Sequence, residues 1–201
     1  MRALYVTHSQ VDKDGLVPVP LWGLSETGRR RAQAFAARGV APVGAHLFSS
    51  TERKAVDLAE ILATATGTSI VTDPGLSEND RSATGFLPPA LFEATADRFF
   101  AEPEIGVDDW EPAIHAQRRI VRAVTAALAG MPDDAVAVFC GHGAVGTLLK
   151  CFVGGRPIAR SEDQRHRADS GGGNCFVFDL AAGRLDCDWT PMEDMVPGWE
   201  R

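Results

Sequence analysis

This sequence lacks the features that mark membrane-bound and exported proteins. No apolar run approaches the ~20 residues that a helix needs to cross a bilayer. The opening residues, MRALYVTHSQ, turn polar too early to form the apolar core of a signal peptide. We therefore expect a cytoplasmic protein with no membrane partner.

Cysteine is scarce, and its pattern is not that of a disulfide or metal framework. The four cysteines, Cys140, Cys151, Cys175 and Cys187, show no CxxC spacing, and three of them lie in apolar runs. This favours small buried thiols in a reducing compartment over disulfides or a zinc site. No cluster of His, Cys and Asp has the spacing of metal ligands, so we expect neither a metal nor another cofactor.

Positive charge is in deficit. The chain has 20 Lys and Arg against 27 Asp and Glu, for a net charge of -7. Binding to a phosphate backbone needs a basic face, so this balance argues against a nucleic-acid partner. A small anion is still compatible, because a few local cations can outweigh a distant net charge. The glycine motifs of P-loop and dinucleotide-binding domains are missing too, which argues against a nucleotide-binding domain.

Strand-like and helical segments alternate along the 201 residues. Apolar runs predict strands at 3–6, 45–48, 69–72, 135–140, 175–179 and 184–189, the last two as a hairpin. Three- and four-residue periodicity predicts helices at 25–38, 52–66, 90–100, 111–129 and 144–152. This order predicts one domain, residues 1–201, folded as a three-layer α/β/α sandwich around a mainly parallel sheet. Residues 76–110 are the least regular part and are interpreted as a lid or insert, and 190–201 as a C-terminal tail.

Polar residues recur where the predicted strands end. His8 follows the first strand, residues 49–54 follow the second, Glu78 comes shortly after the third, and His142 follows the run 135–140. Ligands of such sheets collect beyond the carboxyl ends of the strands. These residues are therefore predicted to share one site.

Two segments, each carrying a histidine, resemble motifs of a known family. LYVTHSQ, residues 4–10, resembles an apolar strand followed by Arg-His-Gly-Glu, and VFCGHG, residues 138–143, resembles a strand followed by His-Gly. Both motifs belong to the histidine phosphatase superfamily, the phosphoglycerate mutase-like group of its branch 1.

Three further segments carry the same resemblance. SSTERKA, residues 49–55, resembles the family's Ser-Ser, three residues and Arg-Ala. Leu76-Ser77-Glu78 resembles the segment that bears its acid, and Trp110-Glu111 followed by Arg118 resembles its Gly-Glu-Ser helix. The resemblance spans about residues 3–180 and implies a phosphoglycerate mutase-like fold.

The resemblance also implies roles. His8 would be the nucleophile, Glu78 the proton donor and His142 a second phosphate contact, with Gly143 at a helix N-terminus that favours an anion. Such roles fit the chemistry, because an imidazole can form a covalent phosphoryl intermediate and a carboxylic acid can protonate the leaving oxygen.

The chain departs from the family pattern at its cations. Thr7 stands where the family has arginine, which leaves one hydrogen-bond donor in place of a charged fork. In the second motif Lys54 keeps the family register, whereas Arg53 comes one position early; only one of them should face the pocket, since neighbours on a helix point ~100° apart. Arg81 is a possible substitute cation; the alternatives are a surface charge or an ion pair with Asp80 or Glu78.

Two functions are therefore carried forward. The first is a metal-independent phosphomonoesterase that acts on a small phosphorylated metabolite through phospho-His8; a mutase is disfavoured because family mutases carry extra segments that enclose the substrate. The second is a weak or inactive relative that binds inorganic phosphate, another anion or a protein partner, with Thr7 as its main support. The substrate, the pathway and the oligomeric state, a homodimer included, stay open.

Overall fold

A computed structural model of the chain describes residues 1–132 and 134–200. Its strands are β1 (Arg2–Thr7), β2 (His46–Ser49), β3 (Ile70–Thr72), β4 (Ala137–Gly141), β5 (Asn174–Asp179), β6 (Arg184–Leu185) and β7 (Thr190–Pro191). Its α-helices are α1 (Glu26–Ala37), α2 (Arg53–Thr66), α3 (Pro89–Ala101), α4 (Ala113–Ala129), α5 (Gly143–Val153) and α6 (Gln164–Arg167). The predicted elements are confirmed with shifts of a few residues; α6 and β7 were not predicted.

The strands form a single mixed sheet. Its order is β3-β2-β4-β1-β5-β6, and β7 pairs with β5 outside this path. The first four strands in that order are parallel, whereas β5 joins β1 antiparallel and pairs with β6 as the predicted hairpin. Because β1, β2 and β4 are parallel neighbours, their carboxyl ends meet at one edge of the sheet.

Hydrophobic residues pack on both faces of this sheet. One core joins alternate residues of the central strands to α1 and α2, and the other joins the intervening residues to α3, α4 and α5. Leu4 and Val6 face the first core and Ala3 and Tyr5 the second, as period-two alternation in a strand requires. The predicted three-layer α/β/α sandwich is confirmed.

The residues interpreted as a C-terminal tail pack against the domain. β7 pairs with the start of β5, and the side chain of Met192 is fully buried. The indole Nε1 of Trp199 donates to the carbonyl of Val40 at 2.7 Å. This segment thus covers the α1 face of the sheet, which its short and polar sequence did not indicate. Nowhere among the described residues is there a helix with the length and apolar character that a membrane span requires.

Candidate active site

A cleft of about 380 Å³ opens beyond the carboxyl ends of β1 and β4. Segment 76–110 forms one wall of it, and the loop before α1 forms another. Polar side chains of its lining include His8, Gln10, Lys54, Glu78, Arg81 and Gln164. The topology therefore brings most of the predicted site residues to one place.

His8 is held as a neutral imidazole with one nitrogen committed to the backbone. Its Nδ1 lies 2.9 Å from the carbonyl oxygen of Ser9, which can only accept, so the proton resides on Nδ1. Burial and the nearby charge of Lys54 lower the pKa of His8 to about 4. The other nitrogen, Nε2, then carries a free lone pair at neutral pH and can act as a nucleophile.

The backbone of His8 is fixed from both sides. Its amide donates to the carbonyl of Gly141 at the end of β4, and its carbonyl accepts from the amide of Gly173. A Cβ on Gly172 would lie 2.5 Å from the His8 carbonyl oxygen, and Gly172 has a φ of +78°. The glycine-rich loop before β5 is therefore needed so that two backbone segments can approach closely at the nucleophile.

His142 lies beside His8 but makes different contacts. The two rings meet edge to face with their centroids 5.3 Å apart. His142 is fully buried, and its Nε2 lies 2.7 Å from the hydroxyl of Ser50. The hydroxyl of Tyr5, the only tyrosine, accepts from the His142 amide and donates to its carbonyl. Burial lowers the pKa of His142 well below its ordinary value, so this ring is also neutral near pH 7.

Glu78 caps the first turn of α5. Its carboxylate accepts from the amides of Ala144 at 3.2 Å and Val145 at 3.0 Å. Burial raises the pKa of Glu78, although these amides and the charge of Arg81 oppose the rise. The helix N-terminus that was predicted to favour a phosphate thus holds this carboxyl group instead, while Gly143 itself lines the cleft.

An arginine of α4 holds the segment that carries Glu78. Arg119 donates to the carbonyls of Gly75, Ser77 and Glu78, and its guanidinium pairs with Glu111. Arg118, the residue suggested by the sequence motif, is exposed. The quoted motif therefore lies on the helix that holds this segment, although the contacts are made by the next arginine along the chain.

The structure separates the two candidate cations of α2. Lys54 is 2% exposed and lines the cleft, and its Nζ donates to the carbonyl of Val19 at 3.0 Å and to the carboxylate of Glu52. Arg53 is exposed and pairs with Asp57 at 2.7 Å. Arg53 is therefore not brought to the site, because the helix turns its side chain toward a different carboxylate.

Glu52 adds an unpredicted negative charge behind the cleft. Its Oε1 lies 3.6 Å from His142 Nε2 and accepts from the Glu78 amide at 2.8 Å. Burial alone would raise the pKa of Glu52, but the charge and hydrogen bond of Lys54 and the amide of Glu78 hold it below its ordinary value. Glu52 therefore stays ionised and offsets part of the Lys54 charge.

Arg81 reaches the cleft from segment 76–110. Its guanidinium carbon lies 5.1 Å from the centroid of the Phe92 ring, a cation–π distance. Within residues 1–132 and 134–200 it forms no ion pair, so the expected pairing with Asp80 or Glu78 is not found. This leaves its charge available to an anion in the cleft.

Comparison with known proteins identifies the family. The model of the histidine phosphatase superfamily (branch 1) matches residues 17–183. The chain belongs to the histidine phosphatase superfamily. The match begins after His8 and does not include the first motif. None of the curated proteins compared with the chain matches it.

Several solved structures share the fold of this chain at low identity. A mycobacterial glucosyl-3-phosphoglycerate phosphatase bound to inorganic phosphate is 21% identical with a TM-score of 0.75, covering 96% of this chain and 98% of that one. The same phosphatase bound to VO3 is 23% identical with a TM-score of 0.74, covering 94% and 98%. YhfR of Bacillus stearothermophilus is 18% identical with a TM-score of 0.74, covering 92% and 93%. Family and fold together support a phosphatase at the level of reaction class.

Thr7 does not contact the cleft of this histidine phosphatase. It is fully buried, and its hydroxyl donates to Gln164 Oε1 at 2.9 Å and accepts from the Asn174 amide at 2.9 Å. The expectation that Thr7 binds phosphate is therefore wrong, because its hydroxyl is already paired on both sides.

Sequence reasoning missed several residues of this site. Ser50 and Glu52 lie within a quoted motif, and their position beside His142 could have been suspected from it. Arg119 and Gln164 had no comparable signal, since one is a helical arginine among several and the other lies on the short helix α6. No three His, Cys, Asp or Glu side chains of the described chain are grouped so as to hold a metal ion.

Proposed function

We propose that this protein is a metal-independent phosphomonoesterase that hydrolyses a small phosphorylated metabolite through a phosphohistidine at His8. The observation that carries the proposal is the fixed imidazole, whose Nδ1 donates to the Ser9 carbonyl and whose Nε2 is free on a cleft shared with Glu78 and Lys54. Nucleophile, proton donor and cation are the three elements that phosphoryl transfer requires.

In the first half-reaction, His8 Nε2 attacks phosphorus as the bond from phosphorus to the ester oxygen breaks. Glu78, whose pKa is raised by burial, supplies the proton that the leaving oxygen needs. Lys54 and Arg81 stabilise the charge on the transferring oxygens. The products of this step are an alcohol and phospho-His8.

In the second half-reaction, the Glu78 carboxylate takes a proton from water as the water oxygen attacks phosphorus. The bond from phosphorus to Nε2 breaks, and inorganic phosphate leaves with His8 neutral again. The proton stays on Nδ1 and is donated to the Ser9 carbonyl throughout, so the ring keeps one orientation in both steps.

The outer part of the cleft favours a leaving group with an apolar portion. Trp22 and Phe86 meet edge to face there with centroids 5.5 Å apart, and Phe92 lies on the same wall. Phe86 belongs to segment 76–110, which we propose acts as the lid over the substrate. These three aromatic rings contribute affinity through apolar burial and do not specify one metabolite.

The test is turnover of a panel of alkyl and aryl phosphomonoesters in the presence of EDTA. We expect phosphate release at ~1 s⁻¹ or faster for the preferred ester, unchanged by EDTA. Quenching during turnover should trap a phosphoryl label that is stable to alkali and labile to acid, as a phosphohistidine is. Loss of activity with EDTA, or a label stable to acid, would contradict the mechanism.

Lys54 and its neighbour Arg53 provide a matched pair for the phosphate contact. An ammonium group has three donors, and two of those on Lys54 contact Val19 and Glu52, so one is left for phosphate. We expect Lys54→Met to weaken inorganic phosphate binding by ~10- to 100-fold, since a charge-assisted hydrogen bond contributes about 1.5–3 kcal/mol. Arg53→Met should change it by less than about twofold, measured by titration calorimetry.

A double variant controls for the loss of stability that Lys54→Met is expected to cause. Lys54→Met leaves the buried Glu52 without its partner, which costs about 3–5 kcal/mol of stability. Glu52→Gln/Lys54→Met removes both charges and should fold while still binding phosphate weakly. If Arg53→Met loses more phosphate affinity than either of these, the assignment of Lys54 is wrong.

The alternative function, a weak or inactive relative that binds an anion, is favoured by one specific observation. Thr7 makes no contact with the cleft and Glu52 offsets Lys54, so fewer permanent charges face a phosphoryl group than the family pattern provides. Phosphate binding without turnover or label in the panel would establish this alternative.

A further inference from the structure

Gln164 is a nearly buried carboxamide that borders the reaction cleft. It is the first residue of α6, is 8% exposed, and lines the cleft together with His8 and Gly143. It contacts Thr7, the residue before His8, and lies against Gly143, the residue after His142. Gln164 thus contacts the sequence neighbours of both histidines and shares the cleft with His8.

The neighbours of Gln164 determine which way its amide points. Asn174 accepts the Asp169 amide proton at Oδ1 and donates to the Asp169 carbonyl from Nδ2. Since a backbone N–H only donates and a carbonyl only accepts, the orientation of Asn174 is settled. Its Nδ2 therefore also donates to Gln164, and the atom it meets at 2.8 Å is Oε1.

Thr7 agrees with this orientation. Its hydroxyl accepts from the Asn174 amide at 2.9 Å, and of its two acceptors Gln164 Oε1 at 2.9 Å is nearer than the Asn174 carbonyl at 3.3 Å. With two donors on Oε1, the NH2 group of Gln164 must lie on the opposite side. There it borders Gly143, where an added Cβ would be 2.2 Å from Nε2.

This NH2 group has no hydrogen-bond acceptor among the residues that the structure describes. Although the residue as a whole is 8% exposed, its Nε2 is reached from the cleft, so only solvent or a bound ligand can accept from it there. The cleft beside it also holds the nucleophile, so an acceptor oxygen of a bound ligand is the partner that the arrangement lacks.

We propose that Gln164 Nε2 donates a hydrogen bond to a non-bridging oxygen of the phosphoryl group at His8, with Thr7 and Asn174 as positioning residues. The inference rests on the proposed function and extends it to a residue in contact with the substrate. The neutral carboxamide of Gln164 then donates to the phosphoryl oxygen that a cation would otherwise contact. The role of Thr7 is to orient that carboxamide.

Gln164→Glu tests the donor directly. The carboxylate keeps an oxygen for Thr7 and Asn174 and places a negative oxygen where the NH2 group stood. At pH 8 we expect kcat/KM for p-nitrophenyl phosphate to fall by at least ~100-fold, and inorganic phosphate to bind at least ~10-fold more weakly. The deficit should shrink as the pH falls, because a protonated glutamic acid regains a donor; a purely structural role would not produce this pH dependence.

Two further variants complete the experiment. Gln33→Glu makes the same change on the exposed face of α1 and should leave both values unchanged. Gln164→Ala removes the donor without adding charge and should weaken phosphate binding by ~10-fold, which covers the case in which Gln164→Glu does not fold.

The outcomes separate this inference from the proposed function. Turnover that is equally fast in wild type, Gln164→Glu and Gln164→Ala overturns the role of Gln164 and leaves the phosphatase intact. Phosphate binding without turnover, lost in Gln164→Glu, supports the role and overturns the phosphatase. A wild-type protein that neither turns over nor binds phosphate overturns both.

Discussion

Replacing His8 with alanine is expected to lower kcat for phosphomonoester hydrolysis by at least ~10³-fold and to abolish the trapped phosphohistidine. The loss should be this large because the covalent intermediate forms on His8 Nε2. His142 is not expected to take over the attack, since the residue is fully buried, does not line the cleft, and has its Nε2 2.7 Å from the Ser50 hydroxyl. The measurements are steady-state turnover and the yield of acid-labile label.

The matched control for this experiment is His46→Ala. His46 is exposed at the start of β2, whereas the cleft lies beyond the carboxyl ends of the parallel strands. Its loss should leave turnover and label as in wild type. Label that persists in His8→Ala would place the covalent intermediate on another residue and refute the assignment of the nucleophile.

Replacing Glu78 with glutamine should lower kcat for alkyl phosphates by ~10²–10⁴-fold, since an amide cannot protonate the departing alkoxide. The loss should be much smaller with p-nitrophenyl phosphate, whose leaving group needs little protonation. A similar loss for both esters would contradict the role of Glu78 as general acid. Glu104→Gln, at an exposed position of the 76–110 segment, is the control.

The pH dependence of kcat/KM provides a second test of Glu78 as the general acid. His8 must be neutral to attack, and its pKa of about 4 predicts that kcat/KM rises as the pH increases through about 4. Glu78 must be protonated to act as an acid, and its raised pKa predicts that kcat/KM for alkyl esters falls at a pH above the ordinary range of a carboxyl group. Glu78→Gln should remove the falling limb and keep the rising one; ionisation of the substrate is common to both proteins and cancels in the comparison.

A structural cost accompanies this substitution and is measured separately. The Glu78 carboxylate accepts from the amides of Ala144 and Val145 at the start of α5. Glutamine retains one acceptor oxygen and presents an NH2 group to the other amide, so a loss of about 1 kcal/mol of stability is expected. Thermal unfolding of both variants separates this loss from the catalytic effect.

The site offers few permanent cations to bind the negative charge of a phosphoryl group. Lys54 is partly neutralised by Glu52, and Arg81 lies against an aromatic ring, where it is free of carboxylate partners in the described chain. Such a site should bind a phosphoryl group less tightly than one with additional arginines. Weak binding is compatible with turnover, because only interactions that strengthen in the transition state accelerate the reaction.

Much of the candidate site could be predicted from sequence because its residues directly follow strands. His8, Glu78 and His142 were placed by the alternation of strands and helices together with the rule for parallel sheets, and all three border or flank the cleft. The choice between Lys54 and Arg53 could not be made in this way. Both lie at the start of α2, and only the packing of that helix decides which side chain turns inward.

The roles of Thr7 and Gln164 were beyond sequence reasoning for a different reason. The hydrogen bond between them joins residues 157 positions apart, through a four-residue helix with no periodicity of its own. The packing of residues 190–201 is also non-local, since β7 is two residues long and is defined only by its pairing with β5.

By itself the sequence determined the alternating elements and the layered α/β class, because local periodicity sets the helices and strands, and its motifs indicated the family by their resemblance. Only the tertiary structure decided which cation faces the cleft, where the Thr7 hydroxyl goes and which amide is left unpaired beside His8. Those outcomes depend on which side chains from distant segments meet within hydrogen-bond distance. Such contacts cannot be predicted from local sequence, because they form only when the chain folds.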